Sequence, residues 1–454
     1  MQSITVKDFP NLDFGDVRRN QRFVKLIDNL SAQPGSSIPK QNDSWYETKA
    51  TYEFFKNEDV SIDSLQQVIS SYGVSQIKST EPLLIIHDIS NISYNDLKAE
   101  GLGYTDNKEG RGILCYSSIA ATTAGLPLAL MYQHNWTRPL EELGKSKNRK
   151  RRSFEQKETY HWYRGMTEVN KNLGAGIQKI HVADREADVY DLFFSAYEEQ
   201  KDLLIRARQN RQLSNGCSLW DHISAQKSKK IVTLEVPDQT GKKKKKIKAA
   251  IRYKEVEILR PSTSKSGYES VTLTAIEVKE VGVLTNEEDR ICWKLLTTLE
   301  VKSEVDVLNC VRWYTYRWLI ERFHYVLKSG TKIEELQLKQ ATSLQKAISV
   351  YSLAAFRIMQ LVYQSRHKPE MSCETILTKN QWIVLYMLTH KEIKIPKKPP
   401  TLGEIVKWIG KLGGHLGRTS DGPPGLKTVW LGYRRLCDAT NIYEILNKKN
   451  LGKD

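Results

Sequence analysis

The chain has 454 residues, 40% of them hydrophobic, so it is long enough to bury a large core. Its 69 Lys and Arg residues outnumber 53 acids, and the resulting charge of +16 favours a polyanionic partner such as nucleic acid. A mean hydropathy of −0.50 and the lack of any apolar run of ~20 residues argue against a membrane partner. The acids in MQSITVKDFPNLDFGD argue against a secretory leader.

The first sixty residues are predicted to form a small helical module with a cationic surface. In GDVRRNQRFVKLIDNLS, Asp16 is a candidate N-cap, and SWYETKATYEFFKNED predicts a second helix after the loop PGSSIPKQND. The first helix has an apolar face made of Val17, Phe23, Val24, Ile27 and Leu30. The basic residues of the module include Arg18, Arg19, Arg22, Lys25 and Lys40. These cations either contact nucleic acid or only keep the surface solvated.

Two acids follow apolar segments that are predicted to be buried strands. LLIIHDIS is a short apolar run that leads into Asp88, and IQKIHVADREADVYD places Asp184 directly after another one. Between them, RGILCYSSIAATTAGLPLALMYQHNW predicts two strands joined by a turn at Ala124 and Gly125. An acid after a strand is often a helix N-cap or a turn residue, so each acid alone has either a structural or a functional explanation.

After Arg211 the chain is rich in β-branched residues and lysine, which predicts an antiparallel β insertion at about residues 213–290. ICWKLLTTLEV then predicts one more buried strand. The next segment, WYTYRWLIERFHYVLKSG at residues 313–330, is expected to be one continuous helix whose polar stripe is Tyr314, Arg317, Glu321 and Lys328. This stripe either lines a cleft or contains an ordinary surface ion pair between Arg317 and Glu321.

Asp88, Asp184 and Glu321 have the chemistry that phosphodiester cleavage by two divalent metal ions requires. Carboxylate oxygens bind Mg²⁺, and two ions ~3.5 to 4 Å apart can hold the attacking and leaving oxygens. The ends of two adjacent strands and a helix packed across the sheet would hold these acids on rigid elements. The long interval between Asp184 and Glu321 is explained if the β insertion lies within it.

Residues 314–328 fit the pattern Tyr, two residues, Arg, three residues, Glu, six residues, Lys. This pattern resembles that of DDE transposases of the bacterial IS-four insertion-sequence group. Further stretches extend the resemblance over nearly the whole chain, in the same order: FGDVRRNQRFVKL, QPGSSIP, ATYEFFKNEDVS, HDIS, VADREADVYDL, ICWKLLTT, LGGHLGR and GLKTVWLGYRRL. One departure is that Ile89 and Ser90 follow Asp88, where the family usually has two small hydroxyl residues, and this affects only the surroundings of the acid.

The resemblance implies an α/β fold with three domains. A helical domain at residues 1–65 would bind transposon ends, and a helical domain at residues 363–454 would mediate dimerisation. Residues 66–362 would form an RNase H-like mixed-sheet catalytic core that the antiparallel β insertion interrupts. Asp88, Asp184 and Glu321 match the catalytic acids that bind Mg²⁺, for which Mn²⁺ can substitute. The implied DNA contacts are Tyr314, Arg317, Lys328, Arg206 and Trp293, and Trp293 resembles an aromatic residue that takes an extruded base.

The activity implied by this resemblance is cut-and-paste transposition by a homodimer, through nicking, hairpin formation and strand transfer. Its partners would be double-stranded DNA at inverted-repeat ends and a target DNA. Two alternatives stay open: a catalytically silent DNA-binding regulator or inhibitor, and a structure-specific nuclease or resolvase on the same fold. The six cysteines have no paired spacing, which predicts a reducing, cytoplasmic setting without a zinc site or disulfides. The resemblance adds an association with the bacterial nucleoid.

Overall fold

The computed structural model describes residues 4–78, 80–144, 152–228, 230–237, 244–283 and 286–451. These residues form a mixed α/β fold around a ten-stranded sheet. The strands are β1 (Leu83–Ser93), β2 (Gly103–Tyr104), β3 (Arg111–Thr122), β4 (Pro127–Trp136), β5 (Lys179–Ala183), β6 (Asp202–Arg206), β7 (Lys230–Pro237), β8 (Lys244–Leu259), β9 (Ser270–Glu280) and β10 (Cys292–Thr297). Their order in the sheet is β2-β3-β1-β5-β6-β10-β9-β8-β7, and β4 pairs with β3.

The centre of the sheet is parallel and its two sides are antiparallel. Strand β5 pairs in parallel with β1 and β6, whereas β3 runs antiparallel to β1. The insertion predicted at residues 213–290 supplies β7, β8 and β9, which are antiparallel as expected. However, β9 also pairs with β10, so the inserted strands extend the main sheet instead of forming a sheet of their own.

Strand β1 is longer than the sequence predicts. We expect it to end at Asp88, but it continues to Ser93, and Asp88 pairs with Ser117 of β3. The strand continues because β3 runs beside it as far as Gly112 and provides partners for its backbone. Asp184, in contrast, directly follows β5 as predicted.

The helices are α1 (Val17–Ala32), α2 (Trp45–Lys56), α3 (Ile62–Ser75), α4 (Tyr160–Leu173), α5 (Tyr190–Glu198), α6 (Leu219–Ser224), α7 (Glu304–Thr315), α8 (Trp318–Tyr325), α9 (Ala341–His367), α10 (Lys379–His390), α11 (Leu402–Leu412) and α12 (Leu426–Leu451). Asp16 caps α1 as predicted, and its carboxylate accepts a hydrogen bond from the Arg18 amide. The predicted apolar face of α1 is buried except for Val17, which is 68% exposed because it lies at the first position of the helix.

The prediction of one continuous helix over residues 313–330 is wrong. Helix α7 ends at Thr315, α8 begins at Trp318, and Val326–Gly330 forms a π-helical turn. Next to the break, the Tyr316 ring packs against Gly125 in the turn between β3 and β4. Gly125 has a φ of 85°, and a Cβ there would lie 2.6 Å from the ring. The break therefore coincides with a tertiary contact that helical periodicity does not reveal.

Each face of the sheet has its own apolar layer. On one face, Ile86 and Val182 belong to a core shared with α8 and α9. On the opposite face, Ile85 and Ala183 belong to a core shared with α4 and α5. Helix α9 also contacts α1, α11 and α12, and it runs through the boundary predicted at residues 362 and 363. None of the described helices is long and apolar enough to cross a membrane.

Candidate active site

Asp88 lies on β1, and Asp184 directly follows the neighbouring parallel strand β5. Ile86 of β1 pairs with Val182 of β5, and each acid lies two residues further along the chain. Because residues i and i+2 of a strand share a face, both acids project on the face that carries α8 and α9. The predicted adjacency of the two strands is confirmed, while the catalytic role of the acids stays a prediction.

Glu321 reaches the same face from the first turn of α8, which contacts β1 and β3. Burial raises the pKa of Asp184, and the charge of Asp88 raises it further. Burial also raises the pKa of Glu321; Arg317 opposes this effect, and Asp88 and Asp184 add to it. Glu321 therefore lies within a short electrostatic range of both Asp88 and Asp184, and Asp184 lies within the same range of Asp88.

Two basic side chains contact these acids. Arg317 is ion-paired with Glu321 through Nη2 and Oε1, and the Arg317 side chain is only 17% exposed. His324 Nδ1 lies 3.5 Å from Asp88 Oδ2. The carboxylates suit Mg²⁺ by their chemistry, but among the described residues no group of three or more His, Cys, Asp or Glu side chains is arranged to hold a metal ion. In this structure the Oε1 atom of Glu321 is occupied by Arg317.

The segment VADREAD contains two more acids with different surroundings. Burial, followed by the charges of Asp184 and Asp88, raises the pKa of Glu186 to about 7. The sequence prediction missed Glu186, although its position in the same acidic segment was the available signal. Asp188 has a fully buried side chain that is ion-paired with Arg211. Its Oδ2 also accepts hydrogen bonds from the backbone amides of residues 208 and 209, so Asp188 is a structural acid.

A cavity of about 310 Å³ lies beside the acids, between β10, α7 and the end of β6. Its lining includes Arg206, Trp293, Tyr314 and Arg317. The half-buried Trp293 ring meets the buried Tyr314 ring edge-on, with centroids 5.3 Å apart. Burial raises the pKa of Tyr314, while Arg317 and Arg206 oppose this effect, so the phenol lies near both guanidinium groups. The structure thus brings these four predicted DNA contacts together in one cavity.

Lys328 lies apart from this cavity, half-buried in the π-helical turn after α8. Burial raises the pKa of the Cys115 thiol to about 12; Lys328 opposes this effect and Asp88 adds to it. Lys328 and Asp88 therefore both lie near Cys115 of β3. The predicted stripe is divided, with Tyr314 in the cavity wall and Lys328 on the Asp88 side of the site.

The five predicted N-terminal contacts differ in their freedom to bind DNA. Arg18 is 89% exposed, although it pairs with its neighbour Asp16, and Lys40 is also exposed. Two others are engaged within the module: Arg19 binds Asp59 and the Phe14 carbonyl, and Lys25 binds Glu47. Arg22 differs from both, because its Nη1 atom is buried without a hydrogen-bond partner among the described residues.

The N-terminal module also exposes two neighbouring aromatic side chains at the start of α2. Trp45 is 75% exposed and Tyr46 is 73% exposed, and the Lys49 ammonium lies over the Trp45 ring. The sequence predicts this helix but does not single out the two rings as exposed. Their exposure gives the module an aromatic surface between basic residues.

The different environments of Asp188 and Asp184 predict opposite effects of the same substitution. Asp188→Asn should lower the free energy of unfolding by about 3 kcal/mol, because it leaves the buried Arg211 charge unpaired. Asp184→Asn should raise the melting temperature at pH 7 in metal-free buffer. The folded protein raises the pKa of Asp184, so this group lowers the stability of the fold at every pH above the ordinary aspartate pKa, and the neutral amide removes that cost. Thermal melting of both variants checks this, and a lower melting temperature for Asp184→Asn would contradict it.

Comparison with known proteins identifies two matching segments. Residues 1–60 match the family described as "Transposase DNA-binding", and residues 353–442 match the "Transposase Tn5 dimerisation domain". Among solved structures, a piggyBac transposase in a synaptic complex with hairpin DNA matches with a TM-score of 0.39 and 9% identity over 81% of this chain and 70% of that one. That structural similarity is too distant to support an argument. The two terminal matches support a DNA transposase with Tn5-like end domains.

Proposed function

We propose that the protein is a cut-and-paste DDE transposase of the IS-four group, similar to the transposase of transposon Tn5. The observation that carries the proposal is the placement of Asp88 and Asp184 in register on parallel strands, with Glu321 facing them from α8. In this proposal residues 66–362 form an RNase H-like catalytic core. Residues 1–65 bind the inverted-repeat ends and residues 363–454 mediate dimerisation, in the cytoplasm at the bacterial nucleoid.

Asp88, Asp184 and Glu321 would hold two Mg²⁺ ions, for which Mn²⁺ can substitute. Bound ions would supply Lewis-acid stabilisation of the attacking and leaving oxygens. Arg317 is ion-paired with Glu321 in the structure. A DNA phosphate would compete with Glu321 for the guanidinium group, because Arg binds phosphates in bidentate geometry. Entry of DNA would thus place Arg317 on the backbone and leave the Glu321 carboxylate for the metal.

The cavity around Trp293 would serve the hairpin step. There the nicked 3′-OH attacks the opposite strand, a new phosphodiester forms, and the flanking DNA leaves with its own 3′-OH. This geometry requires a sharp bend with one base out of the stack, and an aromatic wall compensates for part of that cost. Arg206, Tyr314 and Arg317 would hold the adjacent phosphate because their polar groups meet at the cavity wall.

Dimerisation would use the C-terminal helices. Beyond the segment matched by the dimerisation domain, α12 exposes Ile445 and Leu446, and Ile442 lies one turn earlier on the same side. Ile442, Ile445 and Leu446 form an apolar stripe at helical spacing that a second copy can cover. A dimer would bring two transposon ends together before strand transfer to a target.

Removal of any one of the three acids should abolish nicking. Asp88→Asn, Asp184→Asn and Glu321→Gln should each lower the rate of metal-dependent nicking of an inverted-repeat duplex by at least ~10³-fold, because each removes a metal ligand. Binding of the duplex should persist, since these acids do not recognise the ends. Glu199→Gln, which removes an exposed acid paired with Lys201, is the control for the change in charge. A variant of the three that nicks at the normal rate would refute the assignment and leave a different DNA-binding role.

The Trp293→Ala variant should slow hairpin formation more than first-strand nicking. Stacking of a base on an aromatic ring contributes ~1 to 3 kcal/mol, which corresponds to roughly 5- to 150-fold in the hairpin step. The nick, hairpin and resolved products are followed on an end-labelled duplex, together with thermal melting. If Trp293 only packs in the core, the melting temperature falls and all steps slow equally.

The N-terminal cations should differ in their effect on the salt dependence of DNA binding. Arg18→Ala should reduce the slope of log affinity against log salt by about one unit, because an exposed arginine that contacts a phosphate releases one counterion. Arg19→Ala should leave that slope unchanged, because Arg19 is engaged within the module. Fluorescence anisotropy at several salt concentrations measures both. Equal slopes for the two variants would place the DNA on a different surface.

A further inference from the structure

Two buried histidines connect the strands that carry Asp88 and Asp184. His87 Nε2 lies 2.8 Å from His181 Nδ1, and both side chains are fully buried. At one end, the Ser118 and Tyr116 hydroxyls lie 2.7 and 2.8 Å from His87 Nδ1. At the other end, His181 Nε2 lies 3.0 Å from Asn170 Oδ1. We call these hydrogen bonds, from Ser118 through His87 and His181 to Asn170, the histidine chain.

The acceptor at the end of the histidine chain fixes the direction of every hydrogen bond. The Asn170 oxygen only accepts, so His181 Nε2 carries the hydrogen and Nδ1 accepts from His87 Nε2–H. His87 Nδ1 then accepts from a hydroxyl. Burial lowers the pKa of His87 to about 3 and the pKa of His181 well below its usual value, so both rings are neutral as this arrangement requires. All ring nitrogens have partners, and the chain is complete.

The histidine chain crosses the sheet directly behind the acids. It runs from β3 through β1 and β5 to α4, and His87 immediately precedes Asp88 in sequence. His181 pairs with Ile85 in the parallel ladder, three residues before Asp184. Because successive side chains of a strand alternate, the histidines occupy the face with α4 while the acids occupy the face with α8. The chain therefore ties together the two backbones that determine where the acids lie.

Apolar side chains fill the remainder of this layer, including Ile85, Trp162 and Met166. Apolar contacts tolerate small shifts between strands. A ring-to-ring hydrogen bond of 2.8 Å, in contrast, requires one orientation of the two rings and one offset of β5 along β1. A shift of β5 along β1 would leave buried ring nitrogens unpaired, which costs more than the loss of an apolar contact. Buried polar networks of this kind contribute specificity of arrangement more than net stability.

We propose that the histidine chain is a positioning device that fixes β5 against β1 and thereby sets the separation of the Asp88 and Asp184 carboxylates for metal binding. This proposal rests on the proposed function of the three acids. His87 and His181 contact no reacting atom in this proposal. They affect the acids only by fixing the positions of the two strands. It predicts that breaking the chain weakens metal binding beyond what a loss of stability explains.

The test compares His181→Leu with Thr297→Val. His181→Leu breaks the histidine chain at its centre. Thr297→Val removes the buried hydrogen bond from Thr297 Oγ1 to the Leu203 carbonyl, between β10 and β6, together with the one that the same oxygen accepts from the Leu299 amide. Mn²⁺ binding to each protein in complex with an inverted-repeat duplex is followed by the EPR signal of the free ion, alongside thermal melting and nicking. His181→Leu should raise the Mn²⁺ concentration for half-saturation by about 10-fold or more, the usual effect of losing a group that orients metal ligands. Thr297→Val should lower the melting temperature and leave half-saturation unchanged.

A milder variant covers the case in which His181→Leu does not fold. Asn170→Ala removes only the last acceptor, on the half-buried end of α4, and should shift half-saturation in the same direction by a smaller factor. If these variants melt lower but bind Mn²⁺ like the unaltered protein, the histidine chain is structural only and the proposal is overturned. If the unaltered protein itself neither binds Mn²⁺ nor nicks the duplex, the proposed function fails first and this inference fails with it.

Discussion

The parallel pairing of β1 with β5 is the contact on which the candidate site depends. It joins Leu83–Ile86 to Lys179–Val182, and both acids follow from it two residues later. Since the side-chain period of a strand is two residues, a slip of one residue would turn Asp184 to the opposite face of the sheet. The histidine chain joins the two strands, and the apolar layers on both faces contain side chains from both, so these contacts hold the register.

The same register has an electrostatic cost. It brings carboxylates together under a helix. The pKa values of Asp184 and Glu321 are raised because burial and repulsion from neighbouring carboxylates disfavour their charged forms. Arg317 partly offsets this cost by its ion pair with Glu321. Asp188, in contrast, is a buried carboxylate whose charge is paired with Arg211. A group of carboxylates that carries an electrostatic cost is the property expected of a functional site.

The parts of the fold that depend on local sequence were predictable. Asp16 as an N-cap, the turn at Gly125 and the strand before Asp184 follow from turn and capping chemistry or from apolar runs. The break after Thr315 was not predictable, because no Gly or Pro marks it and the Tyr316 contact with Gly125 joins residues far apart in sequence. For the same reason, charge alone did not separate the exposed Arg18 from Arg19, whose partner Asp59 lies 40 residues away.

Helix α9 connects the N-terminal module, the sheet that carries the acids and the C-terminal helices. Its 27 residues span about 40 Å at 1.5 Å per residue, and it contacts α1 of the N-terminal module, β4 of the sheet, and α11 and α12 of the C-terminal segment. Arg357 on α9 also binds Asp28 of α1 through an ion pair of 3.0 Å. A continuous helix transmits orientation because its residues cannot reorient independently. The orientation of the N-terminal module relative to the acids is therefore determined by the packing of α1 on α9, the helix in which the segment matched by the dimerisation domain begins.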